Sequence, residues 1–135
     1  MRIALAILAV GAALGVGACG SKSEPSAEQR AAATMLERWL GEMAAGDDRR
    51  ACDGLTVGLQ RVIDLQLRQR AIHATCHTYA AQWTSGARVP GHKGAKVTEV
   101  RINGARATAT LTAPPDLQSE VRLQKVDGRW KVANY

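Results

Sequence analysis

The sequence has no phenylalanine, and its aromatic side chains are three tryptophans and two tyrosines in 135 residues. Bulk in any core must come from Trp39, Trp83 and Trp130 together with leucine, valine and alanine. A core built so largely of small residues can close tightly or leave a hollow. The chain also lacks an apolar run able to cross a bilayer. Its longest, Ile3 to Val16, falls short of the ~20 residues that hydrocarbon requires, and no stop-transfer flank follows it. Acidic residues are in deficit, with 12 Asp and Glu against 18 Lys and Arg, a formal +6 carried mostly by 13 arginines. A hydrophobic content of 46% at this length suffices for one domain with its own core, without a structural metal or several disulfides.

The first residues bear on where that charge acts. Met1-Arg2 gives a short positive start, the uncharged run follows, and Val16-Gly17-Ala18-Cys19 closes it with small residues before a cysteine. This reads as a secretory signal peptide over 1–18. Val16 to Cys19 resembles the bacterial lipobox, although Leu is more usual than Val at its first position, and Ala or Ser than Gly at its second. The resemblance implies that the Cys19 thiol receives diacylglycerol and that Cys19 becomes the first residue of the mature chain, held on the outer face of the cell membrane by acyl chains such as palmitate. The alternative is ordinary cleavage after Ala18 with Cys19 unmodified. Residues 19–26 then form the lipidated cysteine and a polar tether, and 27–135 the folded domain. With Cys19 acylated, Cys52 and Cys76 remain as an even pair in an oxidising compartment and are expected to form a disulfide. Their separation of 24 residues corresponds to about 3 kcal/mol in the chain-entropy account.

Downstream, Ser26 and Gln29 read as a capping box. Ala32, Met35, Leu36, Trp39, Leu40 and Met43 then recur at helical spacing up to Gly46, with Glu28, Arg30, Glu37, Arg38 and Glu42 on the other side. A short second helix carries Cys52, capped by Asp47 or Asp48 and stopped by Gly54. From about Thr56 to Trp83 the pattern is helical again. One stripe is Leu59, Val62, Ile63 and Leu67; another is Ile72, Cys76, Tyr79, Ala80 and Trp83, and their misalignment predicts a break near Gln69 to Ile72. Thr84 to Ala95, with Pro90 and three glycines, reads as a loop with a short edge strand near Val89.

The last forty residues read as two β-hairpins. A type I′ turn at Asn103-Gly104 sets Ile102 opposite Ala105, Val100 opposite Ala107 and Thr98 opposite Ala109. A second at Asp127-Gly128 sets Lys125 opposite Trp130, Leu123 opposite Val132 and Val121 opposite Asn134. Both registers gather apolar side chains on one face, which the upstream helices must cover.

Helices followed by an antiparallel sheet, with Gly46-Asp47, the Cys52 and Cys76 pair and a terminal Asp127-Gly128-Arg129-Trp130-Lys131-Val132, resemble the nuclear transport factor 2-like superfamily, and within it small cysteine-paired lipoproteins of actinobacterial type. The resemblance spans about Ala27 to Tyr135. It implies an α+β domain in which a curved antiparallel sheet wraps N-terminal helices as a cone with a pocket. Members include isomerases, dehydratases and non-catalytic binding or dimerisation modules, so the fold does not select a function.

Catalysis in such a cone needs an acid or base on the concave face. The face expected from the hairpin registers runs from Thr98, Val100 and Ile102 through Ala105, Ala107, Ala109 and Leu111 to Leu117, Ser119, Val121, Leu123, Lys125, Trp130, Val132 and Asn134. It holds no carboxylate or histidine, and Tyr79 is the one titratable group the helices point inward. No catalytic residue is assigned, no cofactor is called for, and an isomerase or dehydratase is kept as the alternative. His73 and His77, four apart on an expected helix, make a Cys₂His₂ zinc site with the two cysteines conceivable by spacing, but the compartment favours the disulfide, so no metal is assigned. The basic excess suits anionic headgroups or wall polymers, since nucleic acid is scarce outside the cell, and part of it is a salt-bridged helix face through Asp64 and Arg68.

The expectation is a non-catalytic module at the membrane surface, in one of two forms. In one, Trp39, Tyr79, Ala105, Ala107, Ala109, Leu111, Leu123 and Trp130 line a pocket for an apolar small molecule. In the other, the alanines admit the first helix closely. Thr108, Thr110 and Thr112, with Arg101 and Arg106, then present the opposite face to a protein partner or to a second copy as a homodimer.

Overall fold

The computed structural model describes residues 23–86, 94–115 and 117–135, with no side chains described at 83–86. The signal segment, Cys19, Val89, Pro90, His92 and the Trp83 side chain lie outside the described residues. Four helices, α1 (Ala27–Ala44), α2 (Asp48–Asp53), α3 (Val57–Gln69) and α4 (Cys76–Gly86), precede four strands, β1 (Lys96–Asn103), β2 (Arg106–Ala113), β3 (Leu117–Val126) and β4 (Arg129–Asn134). The fold is α+β, with helices followed by an open antiparallel sheet in the order β1-β2-β3-β4. None of the described helices is long and apolar enough to cross a membrane.

Each helix start is fixed by a side chain that accepts an otherwise unpaired backbone N–H. Ser26 Oγ accepts from Gln29 N at 3.1 Å while Gln29 Oε1 accepts from Ser26 N at 2.7 Å, a complete capping box. Asp47 and Thr56 cap α2 and α3. The break expected near Gln69 to Ile72 is present and separates two helices, because Ala71 at φ 56° turns the chain and 70–75 leaves the helical path. His73 therefore lies off any helix. Asp64 Oδ1 accepts the Cys76 N–H at 2.7 Å and so caps α4, which removes it from the expected pair with Arg68. Arg68 Nε instead donates to the Asp64 carbonyl at 3.3 Å. Val62, placed on the apolar stripe by spacing, is 47% exposed, because α3 rests on its neighbours through Ile63 and Leu67.

The Asp127-Gly128 turn has φ of 49° and 76°, as a type I′ turn requires, and pairs Lys125 with Trp130 and Leu123 with Val132. Beyond Val132 an extra residue, Ala133, bulges, so Asn134 lies opposite Arg122 rather than Val121. The first hairpin turns one residue later than its Asn-Gly pair suggested. Gly104 alone has positive φ, at 59°, Asn103 pairs with Arg106, and Val100 and Ile102 lie opposite Ala109 and Ala107. The slip is two residues along the ladder, an even number, so both strands keep their apolar faces. A bulge at Thr98 sends that side chain to the polar face, where its hydroxyl donates to the Thr110 carbonyl at 3.3 Å. Each outer strand thus carries one bulge, which bends that strand locally and increases its twist.

The core lies between the sheet's inner face and the helices. Leu36, Trp39, Leu55, Ile63 and Leu67 meet Ala109, Leu111, Val121, Leu123 and Val132, all within 1% of complete burial. The Cys52–Cys76 disulfide, with Cα atoms 5.6 Å apart, ties α2 to α4 inside it. Leu117, expected on the inner face, is 56% exposed at the start of β3, beyond the reach of the helices.

Trp39 fixes the junction of α1, α2 and β4. Its Nε1 donates to the Ala51 carbonyl at 2.9 Å, and a Cβ on Gly54 would stand 2.6 Å from its Cδ1. Gly54→Ala is therefore expected to destabilise by about 1–3 kcal/mol, because a buried indole cannot yield as a flexible chain end would. Gly58→Ala, on open surface within α3, is expected to stabilise by about 0.5–1 kcal/mol. Urea unfolding midpoints of the two variants check the pair, and shifts of the same sign would refute the account.

Candidate functional site: the uncovered face of the sheet

The alternation that turns alanine, valine and leucine inward turns a polar set outward, and among the described residues no element covers it. Thr108, Thr110 and Thr112 run down β2 at its centre, half-buried by their neighbours. Thr108 lies between Arg101 and Arg122, Thr110 between Glu99 and Glu120, and Thr112 between Lys96 and Gln118. Across β2, Arg101 Nη2 bonds Glu120 Oε1 at 2.9 Å, and its Nε lies 4.0 Å from Glu99. Thr98 Oγ1 and Thr112 Oγ1 are 3.3 Å apart.

Charge is unevenly spread over this face. Both carboxylates, Glu99 and Glu120, are engaged with Arg101. Arg106, Arg122 and Arg129, all exposed, make no ion pair among the described residues. Arg106 lies opposite Gln124 and Arg122 opposite Thr108, so the two arginines are diagonal neighbours on adjacent strands. Like charges in that relation repel. They line a groove of about 620 Å³ with Arg101, Asn103, Gln124 and Asn134. Every one of those side chains carries an N–H donor. The chemistry these side chains offer is the binding of anions and hydroxyls.

The residues expected to line an inner pocket are distributed differently. Trp39, Ala109, Leu111 and Leu123 are exposed by 0–1%, Ala107 by 5% and Trp130 by 6%, so they are side chains of a filled core. Tyr79 is half-buried against that core, and Ala105 is exposed in the β1–β2 turn. Space of about 670 Å³ lies instead at the sheet's edge, between α1 and β1, where Pro25, Ala33, Val97 and Val100 contribute apolar surface.

Three polar groupings escaped the sequence reading. Glu28, which spacing put on the solvent side of α1, reaches over the sheet's rim, where Lys125 Nζ donates to both its oxygens at 2.9 and 3.0 Å and Trp130 Nε1 donates at 3.2 Å. The Lys125 hydrogen bond, above all, holds this carboxyl below its ordinary range. Gln29, besides closing the capping box, donates from Nε2 to the Val100 carbonyl at 2.8 Å. The capping-box spacing identified Gln29, but nothing local foretold a strand 71 residues away. His77 lies 3.0 Å from Asp53, a carboxylate beside it in space but 24 residues away in sequence. Among the described residues no three His, Cys, Asp or Glu side chains are grouped to hold a metal ion, and both cysteine sulfurs are committed to each other.

No protein-family model, curated protein or solved structure matches the chain.

Glu28 is a carboxylate with a depressed folded-state pKa, so its stabilising effect is present above its ordinary value of 4.5 and is lost as pH falls through the lower folded value. Glu28→Gln should lower the melting temperature at neutral pH, with the gap to the parent closing as the solution is acidified below that window. A gap independent of pH would show that the charge contributes nothing.

Proposed function

We propose that this chain is an extracytoplasmic lipoprotein, held on the outer face of the cell membrane through acylated Cys19. Its 27–135 domain is a non-catalytic interaction module of nuclear transport factor 2-like cone architecture. The observation that carries the reading is the contrast between the two faces of the sheet. The inner face is consumed in packing against α1 to α4, while the outer presents threonines and arginines that no described element covers. A surface of that composition serves contact with another molecule, with Thr108, Thr110, Thr112, Arg101 and Arg106 at its centre. The Cys52–Cys76 disulfide supports an oxidising compartment. The signal-like start and Val16-Gly17-Ala18-Cys19 support secretion with lipidation.

A carrier of a small apolar molecule is the second reading, favoured by the space between α1 and β1 and its apolar floor. An isomerase or dehydratase has less support. Its acid or base must meet the substrate, and Glu28, the carboxylate on the inner rim, is already taken up by Lys125 and Trp130.

Native mass spectrometry of the protein gently extracted from its own membranes tests the proposal, run with and without reductant. The expected species lacks residues 1–18, carries diacylglycerol on Cys19 and retains a second polypeptide. An unmodified Cys19 would overturn the anchoring, and a retained small molecule would favour the second reading. A stability measurement separates packing from pocket on the inner face. Ala107→Leu is expected to destabilise by about 1–3 kcal/mol in chemical denaturation, whereas a neutral substitution would mean a hollow had been filled.

A further inference from the structure

The outer-face arginines and the point where the tether enters the domain lie at the same end of the sheet. Both hairpin turns are at that end: Arg106 follows the Gly104 turn, Arg129 follows Asp127-Gly128, and Arg122 lies one diagonal step from Arg106. At the start of α1, Glu28 bonds Lys125 and Trp130 beside the second turn, so the chain leading back to Cys19 enters at this end as well. From Ser26 to Cys19 is seven residues, whose full extension reaches about 25 Å. The turn end is therefore kept close to whatever surface holds Cys19. Glu120, two residues from Arg122 on the same face of β3, is held with Glu99 by Arg101, and Arg129 lies apart from Arg106 and Arg122, in a groove it shares with Glu42 and Asp53.

We propose that Arg106 and Arg122 dock the turn end of the domain onto anionic phospholipid headgroups of the bilayer that anchors it. The inference rests on the lipoprotein reading and adds an orientation to it. Headgroup phosphates relieve the repulsion between Arg106 and Arg122, which form two-pronged hydrogen bonds to such oxyanions. Asn103, Gln124 and Asn134 supply neutral donors around them. The strands then rise from the membrane; the docking withdraws Arg106 and Thr108 from the partner surface proposed above and narrows it to Thr110 and Thr112, with Gln118 beside them.

The test uses the acylated protein purified from membranes and reconstituted into vesicles of phosphatidylcholine, alone or with about 30% phosphatidylglycerol. A donor dye is placed at Ala105→Cys in the exposed β1–β2 turn or at Gln66→Cys on α3, and energy transfer is read to an acceptor on lipid headgroups. Stronger transfer from position 105 than from 66 is expected in anionic vesicles only, falling away at about 0.5 M salt. Arg106→Gln with Arg122→Gln should lower the ratio of docked to undocked protein roughly 30-fold, from the usual effect of a cation at an anionic surface, while co-flotation with the vesicles persists. Equal transfer from both positions, or transfer unchanged in the double variant or in phosphatidylcholine alone, overturns the docking and leaves the anchor standing. Protein that floats with neither vesicle overturns the anchor and the docking with it.

Discussion

Trp39 is the constraint on which the rest of the structure depends. A chain without phenylalanine has few rigid, bulky side chains, and this one is placed where α1, α2 and β4 converge. Its single polar atom must find a partner once buried, and finds it in the Ala51 carbonyl. Its ring edge needs a neighbour without a side chain, which Gly54 provides. From Gly54 to Thr56 the backbone runs alongside β4, where the Gly54 carbonyl accepts from Val132 N and Thr56 N donates to the Val132 carbonyl, at 2.9 and 2.8 Å. Leu55 is thereby drawn into the core beside the sheet. Tyr135, with its ring centre 5.8 Å from that of Trp39, fastens the C-terminus to the same point. The disulfide adds a covalent tie one residue beyond Ala51, so helix layer and sheet are joined around one indole.

The alanines of β2 complete the inner face: Ala107, Ala109 and Ala113 are all buried, Ala107 and Ala109 in the same cluster as Leu36, Trp39 and Met43. The residues that alternate with those alanines are Thr108, Thr110 and Thr112, so the pattern that fills one face also composes the other.

Much of this was legible in the sequence because it is local. Ser26 with Gln29, Asp47 with Gly54, and Asp127-Gly128 are each short patterns with one physical outcome, and all mark the boundaries they suggested. The inner and outer faces were legible for a different reason: strand alternation has a period of two, so the two-residue slip at Gly104 changed partners without changing faces. What could not be read was long-range. Glu28 has the spacing of a solvent-side residue, and only the crossing angle of α1 brings it to Lys125 and Trp130. Asp64 has the spacing of a partner for Arg68, but Cys76 offers a helix-end N–H, which an anionic oxygen satisfies better. Val62 fits a stripe that α3 does not bury, because the packing angle of a helix is set by its neighbours. Local patterns specify elements; the docking of one element on another decides which of their polar atoms meet.

The edges of the sheet constrain how anything else can approach it. An exposed strand edge is a template for pairing with another chain, and on each edge here one residue is already engaged, Val132 on β4 and Val100 on β1. β4 is covered by the Gly54–Thr56 backbone, whose hydrogen bonds fill the Val132 N–H and carbonyl. β1 is guarded by Gln29, which holds the Val100 carbonyl, by the bulge at Thr98, and by charges at Glu99 and Arg101. Extending the sheet through β1 would mean displacing Gln29, and with it half of the capping box that starts α1. On the proposed reading, a protein partner would meet less resistance at the outer face than at either edge. Contact there would be made by side chains, so selectivity would rest on the positions of arginines and threonines rather than on backbone register.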